Sequence, residues 1–239
     1  MDRLIYSALT AMRSTQAAQA VTANNLANAH TTGFRRELAS LSSRWLDGGN
    51  GALDSGRAQA DMAVATAQLE AGPVNVTGQP LDLAIDGPGW LAVQAADGGE
   101  AYTRRADLHV TATGVVENGD GLAVIGDAGP LTVPTGAALS IAADGSVSAN
   151  GAAVGRIKLV DAPAGTLAKR GDGLFGGAVL DAAPAVRVRS GALEESNVQT
   201  AGSLTELFEQ SRAFETSAKL MRAARDIDEG GTRLMRLDN

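Results

Sequence analysis

The hydrophobic spacing changes twice along this chain, and that change limits it to a fold with helical ends and a turn-rich middle. From Met1 to Asn28 there is neither glycine nor proline, and alanine, leucine, methionine and glutamine recur; these are good helix formers. Stepping by fours and threes gives Ile5, Leu9, Met12, Gln16, Gln19, Ala23 and Leu26, a heptad seam that is apolar at both ends and polar in its centre. Asn24, Asn25, Asn28, Thr31, Thr32 and Gly33 close it. Short polar side chains compete for backbone hydrogen bonds, and glycine takes the left-handed conformation that ends helices.

The C-terminal end has the same character. Ser203-Leu204-Thr205-Glu206, after Gly202, is a capping-box sequence, in which the first and last side chains satisfy each other's orphan amides. The seam then runs through Leu204, Leu207, Ser211, Phe214, Ala218 and Met221, widened by Phe208 and Leu220. Glu215 with Lys219, Arg222 with Asp226, and Arg225 with Glu229 place opposite charges one turn apart. Gly230-Gly231 is expected to interrupt the helix before Leu234, Met235 and Leu237.

Between the ends, turn dipeptides recur: Asp86-Gly87, Asp97-Gly98, Asn118-Gly119, Asp120-Gly121, Asp144-Gly145, Asn150-Gly151 and Asp172-Gly173. Short Val, Ile, Leu and Thr runs separate them, the pattern of short strands joined by tight turns. The fold class read from this is α+β: long terminal helices pairing as a coiled-coil-like segment, a central all-β domain, and extended connectors. The boundaries expected are a helix at 1–33, a connector at 34–80, the β domain at 81–184, a connector at 185–202 and a helix at 203–239.

Composition excludes several chemistries. The chain of 239 residues has 20 Lys plus Arg against 27 Asp plus Glu, a net charge of −7, with no stripe of positive charge; nucleic acid and anionic membrane surfaces are therefore not expected partners. No apolar run reaches the roughly 20 residues that a spanning helix needs, so no membrane insertion is expected. Leu4 to Met12, followed by Ala18-Gln19-Ala20, resembles a leader with a cleavage site, but Asp2 cancels Arg3, and Ser7 and Thr10 dilute the stretch; a helix uses these residues better.

With no cysteine and only His30 and His109, neither a thiolate nor a histidine metal site follows, and no catalytic triad does. The glycine pairs lack the lysine of a phosphate loop, and Asn118 to Gly121 lacks the ligands of a calcium loop and reads as a tight turn. Glu194-Glu195 reads as a solvated pair, because adjacent side chains point apart. No enzyme, cofactor or metal site is expected. The narrow, alanine-rich N-terminal stripe can be approached from several sides, which favours packing between subunits over a helix that merely covers the β body.

Ala23-Asn24-Asn25-Leu26-Ala27-Asn28 followed by Thr31-Thr32-Gly33-Phe34-Arg35-Arg36 resembles the N-terminal signature of the flagellar rod and hook proteins, the axial family of the bacterial flagellum. Gly87-Pro88-Gly89-Trp90-Leu91-Ala92-Val93-Gln94, Tyr102-Thr103-Arg104 and the run from Ser196 to Leu237 are similar to the same family, so the resemblance covers nearly the whole chain. Met1 to Tyr6, the tryptophan segment and Lys169 to Phe175 are most similar to its proximal-rod members, with distal-rod members next.

The resemblance implies a structural subunit of the basal-body rod, the hollow shaft that crosses the periplasm and transmits torque to the hook. It implies other rod subunits, proximal and distal, as partners, and export through the flagellum's type III apparatus without a cleaved signal peptide. Subunit packing would fall to Ile5, Leu9, Met12, Asn25, Leu26, Asn28, Gly33 and Phe34 at one end and to Leu204, Leu207, Phe208, Phe214 and Met221 at the other. The reading from another class is a secreted β-rich binding protein whose helices cap its own fold.

Overall fold

Both ends free of proline fold as helices. In the computed structural model, which describes residues 2–46, 57–163 and 165–237, α1 spans Asp2–Ala27 and α2 spans Thr200–Leu237. The second helix departs from expectation at both ends. It starts before the capping-box sequence, and the Ser203 N–H donates to the Gln199 carbonyl at 2.9 Å, an ordinary bond of the first turn. Ser203 is therefore inside the helix and does not cap it. The helix also runs through Gly230-Gly231 without a break. Glycine costs about 1 kcal/mol in a helix relative to alanine, but unlike proline it keeps the N–H that continues the ladder.

The chain divides into two compact units. One comprises Met1–Ala27, Glu37–Thr66 and Gln199–Asn239; the other comprises Asn28–Arg36 and Ala67–Val198. Residues expected as connectors carry strands in both. Glu37–Leu46 and Arg57–Ala67 pair as a two-stranded sheet; neither contains glycine or proline, whereas Asp47 to Gly56 between them, outside the described residues, has four glycines within it. Arg187–Ser190 pairs antiparallel with Leu83–Asp86, and Ala192–Glu194 with Val74–Val76.

The second unit is built on a five-stranded antiparallel sheet in the order Leu159–Asp161, Gly89–Gln94, Glu100–Thr103, Phe175–Gly176, Ala168–Lys169. Its Gly89–Gln94 strand is buried on both faces, because successive side chains of a strand point in opposite directions. Leu91 and Val93 enter a core with Leu83, Ile85, Val124, Val147 and Ile157. Trp90 and Ala92 enter a second core with Tyr102, Val160 and Phe175. The Trp90 and Phe175 rings lie 4.5 Å apart, tilted by 47°, an arrangement that adds about 0.5–1.5 kcal/mol beyond area burial.

The turn dipeptides behave as their chemistry requires. Ser146–Ala149 and Ala152–Arg156 form a hairpin whose two connecting residues, Asn150 and Gly151, have φ of 51° and 84°, the left-handed pair that a tight hairpin turn needs. Asn118 closes its loop with one side-chain oxygen, which accepts the N–H groups of Asp120 at 3.1 Å and Leu122 at 3.0 Å.

Tyr102 is fully buried; its hydroxyl donates to Glu100 Oε1 at 2.8 Å and accepts the Leu180 N–H at 2.7 Å. Burial is the main cause that pushes its pKa from 10.0 up to about 12. The folded chain therefore holds a proton that the unfolded chain has released, so stability falls as pH rises from about 10 to about 12. Urea unfolding across that range should show this slope in the native chain and lose it in Tyr102→Phe. That variant should also cost about 1–3 kcal/mol at neutral pH, since the Leu180 N–H loses its acceptor.

Candidate assembly surface and chain junction

A helix shielded along one side keeps its less exposed residues three or four positions apart. Along α2 the shielded positions are Ser203, Glu206, Leu207, Gln210, Phe214, Ser217, Ala218, Met221 and Ala224; along α1 they include Ala8, Met12, Thr15, Gln19, Thr22 and Leu26. The helices pack together within one unit, and Gln210 Nε2 donates to Thr22 Oγ1 at 3.0 Å. Polar side chains therefore stand where the two helices meet, although Gln16, expected among them, is exposed. The register of the pair is not the expected one: on α2 Ser203 and Gln210 are shielded where Leu204 and Ser211 are expected, and on α1 Thr15 and Thr22 are shielded where Gln16 and Ala23 are expected.

Leu207, Phe214 and Met221 stand in the stripe, and Leu9, Met12 and Leu26 are half-buried. The side chain of Ile5 lies outside the described residues. Leu204 and Phe208 do not face α1. At 100° per residue they fall roughly 100–140° from the stripe, and they are 40% and 74% exposed. Leu220 and Ile227, each 62% exposed, fall about as far away on the other flank. Apolar side chains thus stand uncovered on both sides of the same helix.

The signature residues after α1 have separate tasks. Asn25 is buried; its side-chain oxygen accepts the Glu37 N–H at 2.7 Å and its amide donates to the Glu37 carbonyl at 2.8 Å. It stands in for a missing strand neighbour at the first residue of Glu37–Leu46, which requires a donor and an acceptor on one side chain. Asn28 accepts the Thr31 N–H at 3.1 Å on its carbonyl and the Thr31 hydroxyl at 3.1 Å on its side chain. Gly33 has φ of 68°, its N–H donates to the Glu194 carbonyl at 2.7 Å, and a Cβ there would fall 2.3 Å from the Arg104 carbonyl carbon. Only glycine satisfies both demands. The Phe34 ring lies under Lys169 Nζ at 3.9 Å, a cation–π contact, and the same ammonium donates to the Arg35 carbonyl at 3.0 Å.

Beneath this turn sits a cluster that sequence reasoning missed. Glu194, only 2% exposed, is not half of a solvated pair. Its Oε1 accepts from Arg35 Nη1 and from the Gly72 N–H at 3.0 Å, and its Oε2 accepts from Arg104 Nη1 at 2.9 Å. Arg104 also donates to the carbonyls of Ile85, at 2.9 Å, and Gly87, and lies 5.5 Å over the Trp90 ring. Burial pushes the Arg104 pKa down while the Glu194 carboxylate opposes it. The usable sequence signal was alternation: Ala192, Glu194, Ser196 and Val198 are buried while Glu195 is exposed. Asn197 completes the junction, accepting the Arg36 N–H at 2.7 Å and donating to the carbonyls of Gln68 at 3.0 Å and Glu70 at 2.8 Å.

Catalytic chemistry has little to work with. Among the described residues no group of three or more His, Cys, Asp and Glu side chains is placed to hold a metal. A cavity of about 450 Å³ is lined in part by Gln94, Asp127, Glu100 and Lys158, but the last two are spent on each other at 2.8 Å.

Three family descriptions match the chain: flagella basal body rod protein over residues 5–35, flagellar hook protein FlgE/F/G D1 domain over 84–149, and flagellar basal body rod FlgEFG protein C-terminal over 189–234. The flagellar basal-body rod protein FlgF of Salmonella typhimurium is 41% identical over 247 aligned residues, covering 96% of each chain. The chain belongs to the FlgF family of flagellar basal-body rod proteins. FlgF of Escherichia coli is 40% identical over 95% of each chain, and the rod protein FlgG of Bacillus subtilis is 28% identical over 95% of this chain and 97% of its own. FlgF proteins are structural, not enzymes. In this FlgF relative the buried cluster draws Arg35, Arg104 and Glu194 from the three matched regions in turn.

Asn25→Asp removes the donor to the Glu37 carbonyl and sets a carboxylate against it. The expected loss is about 1–3 kcal/mol, with amide hydrogen exchange at Glu37 accelerating relative to the Ala92 amide in the five-stranded sheet.

Proposed function

We infer that this structural subunit of the bacterial flagellar basal-body rod polymerises through its terminal helices, which pair as a coiled-coil-like segment and stack with those of other rod subunits, proximal and distal, into the hollow shaft that carries torque to the hook. The observation that carries this is the exposure of Leu204, Phe208, Leu220 and Ile227 on α2, four large apolar side chains that the chain's own fold leaves in water. Each contributes about 1.5–3 kcal/mol when buried against a neighbour. The Thr22–Gln210 contact between α1 and α2 supports the same reading, because a helix pair joined in part by polar groups gains by adding apolar neighbours. The names of the relatives supply the setting, flagellar basal-body rod protein for FlgF and FlgG, and flagellar hook protein for a match that covers 53% of this chain. The subunit reaches that site, across the periplasm, by unfolded export through the type III apparatus, as the resemblance to rod and hook proteins implies.

Phe208→Asp tests the assembly. Because Phe208 is already exposed, the purified chain should keep its thermal unfolding midpoint, within about 0.5 kcal/mol of stability. Cells carrying the variant should fail to complete the rod and to swim on soft agar. Wild-type swimming by that variant and by Ile227→Asp would overturn the proposal. The half-buried Phe214, changed to Asp, should block assembly too, with some loss of helix stability.

A further inference from the structure

We propose that Glu194 is a latch that orders the chain's junction segments in sequence, the C-terminal one first and the N-terminal one second. The chain passes between its compact units at 27/28, 36/37, 66/67 and 198/199. On the side of the second unit, all four passages begin or end in three short segments, 28–36, 67–73 and 194–198. One carboxylate reaches all three: it belongs to the last, accepts the Gly72 N–H of the second at 3.0 Å, and accepts Arg35 of the first. Backbone bonds follow it. Gly33 donates to the Glu194 carbonyl at 2.7 Å, Gln68 donates to that of Arg36 at 2.8 Å, and Glu195 donates to that of Pro73 at 2.8 Å.

The two arginines are not equivalent, and the order follows from that. Arg104 is held without Glu194, by the carbonyls of Ile85 and Gly87 and by the Trp90 face, all within twenty residues of it in sequence. Contacts so local form early. Arg35 has no such support among the described residues: its Nε and Nη2 are buried and make no hydrogen bond there, and its guanidinium is anchored by Glu194, 159 residues away. Arg104 is the fixed post, Glu194 docks on it, and only the docked carboxylate can draw Arg35 out of water. Until then the segment that joins α1 to the Glu37–Leu46 strand has no side-chain anchor in Glu194.

The experiment is amide hydrogen exchange on the full-length chain, comparing Arg35→Met and Glu194→Gln with the native sequence. The probes are Gly33 and Arg36 for the N-terminal junction, Glu195 for the C-terminal one, and Ala92 and Val124 for the core. Arg35→Met should accelerate exchange at Gly33 and Arg36 by about 100-fold, the scale expected when a buried charge loses its partner, and leave Glu195 and the core unchanged. Glu194→Gln should release both junctions. Three results for Arg35→Met would overturn the proposal: Glu195 released as much as Gly33, neither released, or the core amides exchanging with them. The Arg35→Met comparison is decisive even if Glu194→Gln does not fold. It is decisive also whatever the helices assemble with, so its failure is separate from failure of the rod reading.

Discussion

A carboxylate taken out of water must be surrounded by donors, and the junction of this protein is arranged around that requirement at Glu194. Two guanidinium groups and the Gly72 N–H surround it. Two positive charges against one negative leave a surplus, and Arg104 disposes of its share through two carbonyls and the face of Trp90, each an electron-rich partner. The surroundings have to be close. A side chain at Gly33 would meet the Arg104 carbonyl carbon at 2.3 Å, and one at Gly72 would meet the Glu195 carbonyl oxygen at 2.0 Å. Both glycines are therefore conditions of the same buried interaction. Such clusters seldom add stability over an apolar replacement; what they add is selectivity, since a wrong pairing strands a charge. At a place where several chain segments meet, selectivity is what the fold needs.

The two compact units solve opposite problems. In the second, buried oxygens are enclosed and matched: the Tyr102 hydroxyl, the Asn118 side-chain oxygen and the Glu194 carboxylate each have partners inside it. In the first, α2 displays apolar side chains to water on two flanks while serine and glutamine are among its shielded residues. A helix pair joined in part by polar groups, with apolar flanks, is poorly satisfied alone. Burying Phe208 or Ile227 adds more than tightening Thr22 against Gln210 would. The distribution of burial on α2 thus favours association with other chains over self-contained packing.

Much of this was legible in the sequence because it is periodic. Helical ends follow from spacing, and hairpin turns such as Asn150-Gly151 follow from residues that tolerate the left-handed region. What was not legible depends on three-dimensional proximity or on register. At the start of α2 Ser203 is shielded and Leu204 exposed, because pairing is decided by what α1 offers and not by hydrophobicity alone. The stretch 34–80 read as a connector since small residues blur the alternation in Glu37–Leu46 and Arg57–Ala67. Glu194 read as solvated because its two arginines lie 90 and 159 residues away. Gly230-Gly231 failed to stop α2 because propensity is a weak prior inside a long helix.

The N-terminal signature takes on a sharper meaning from these contacts. Asn25, Gly33 and Phe34 stand together in the sequence and were assigned by resemblance to packing between subunits, yet each is engaged within its own chain. Asn25 completes the start of a strand, Gly33 admits a backbone, and Phe34 lies under a lysine. None of these functions tolerates a near-isostere: aspartate lacks the donor, alanine lacks the room, and leucine lacks the ring. Exposed positions such as Phe208 face a looser demand, since any large apolar group buries similar area. A run of residues fixed by such exacting geometry is the stretch that a family signature would retain, and its task here is to set how the chain turns out of α1.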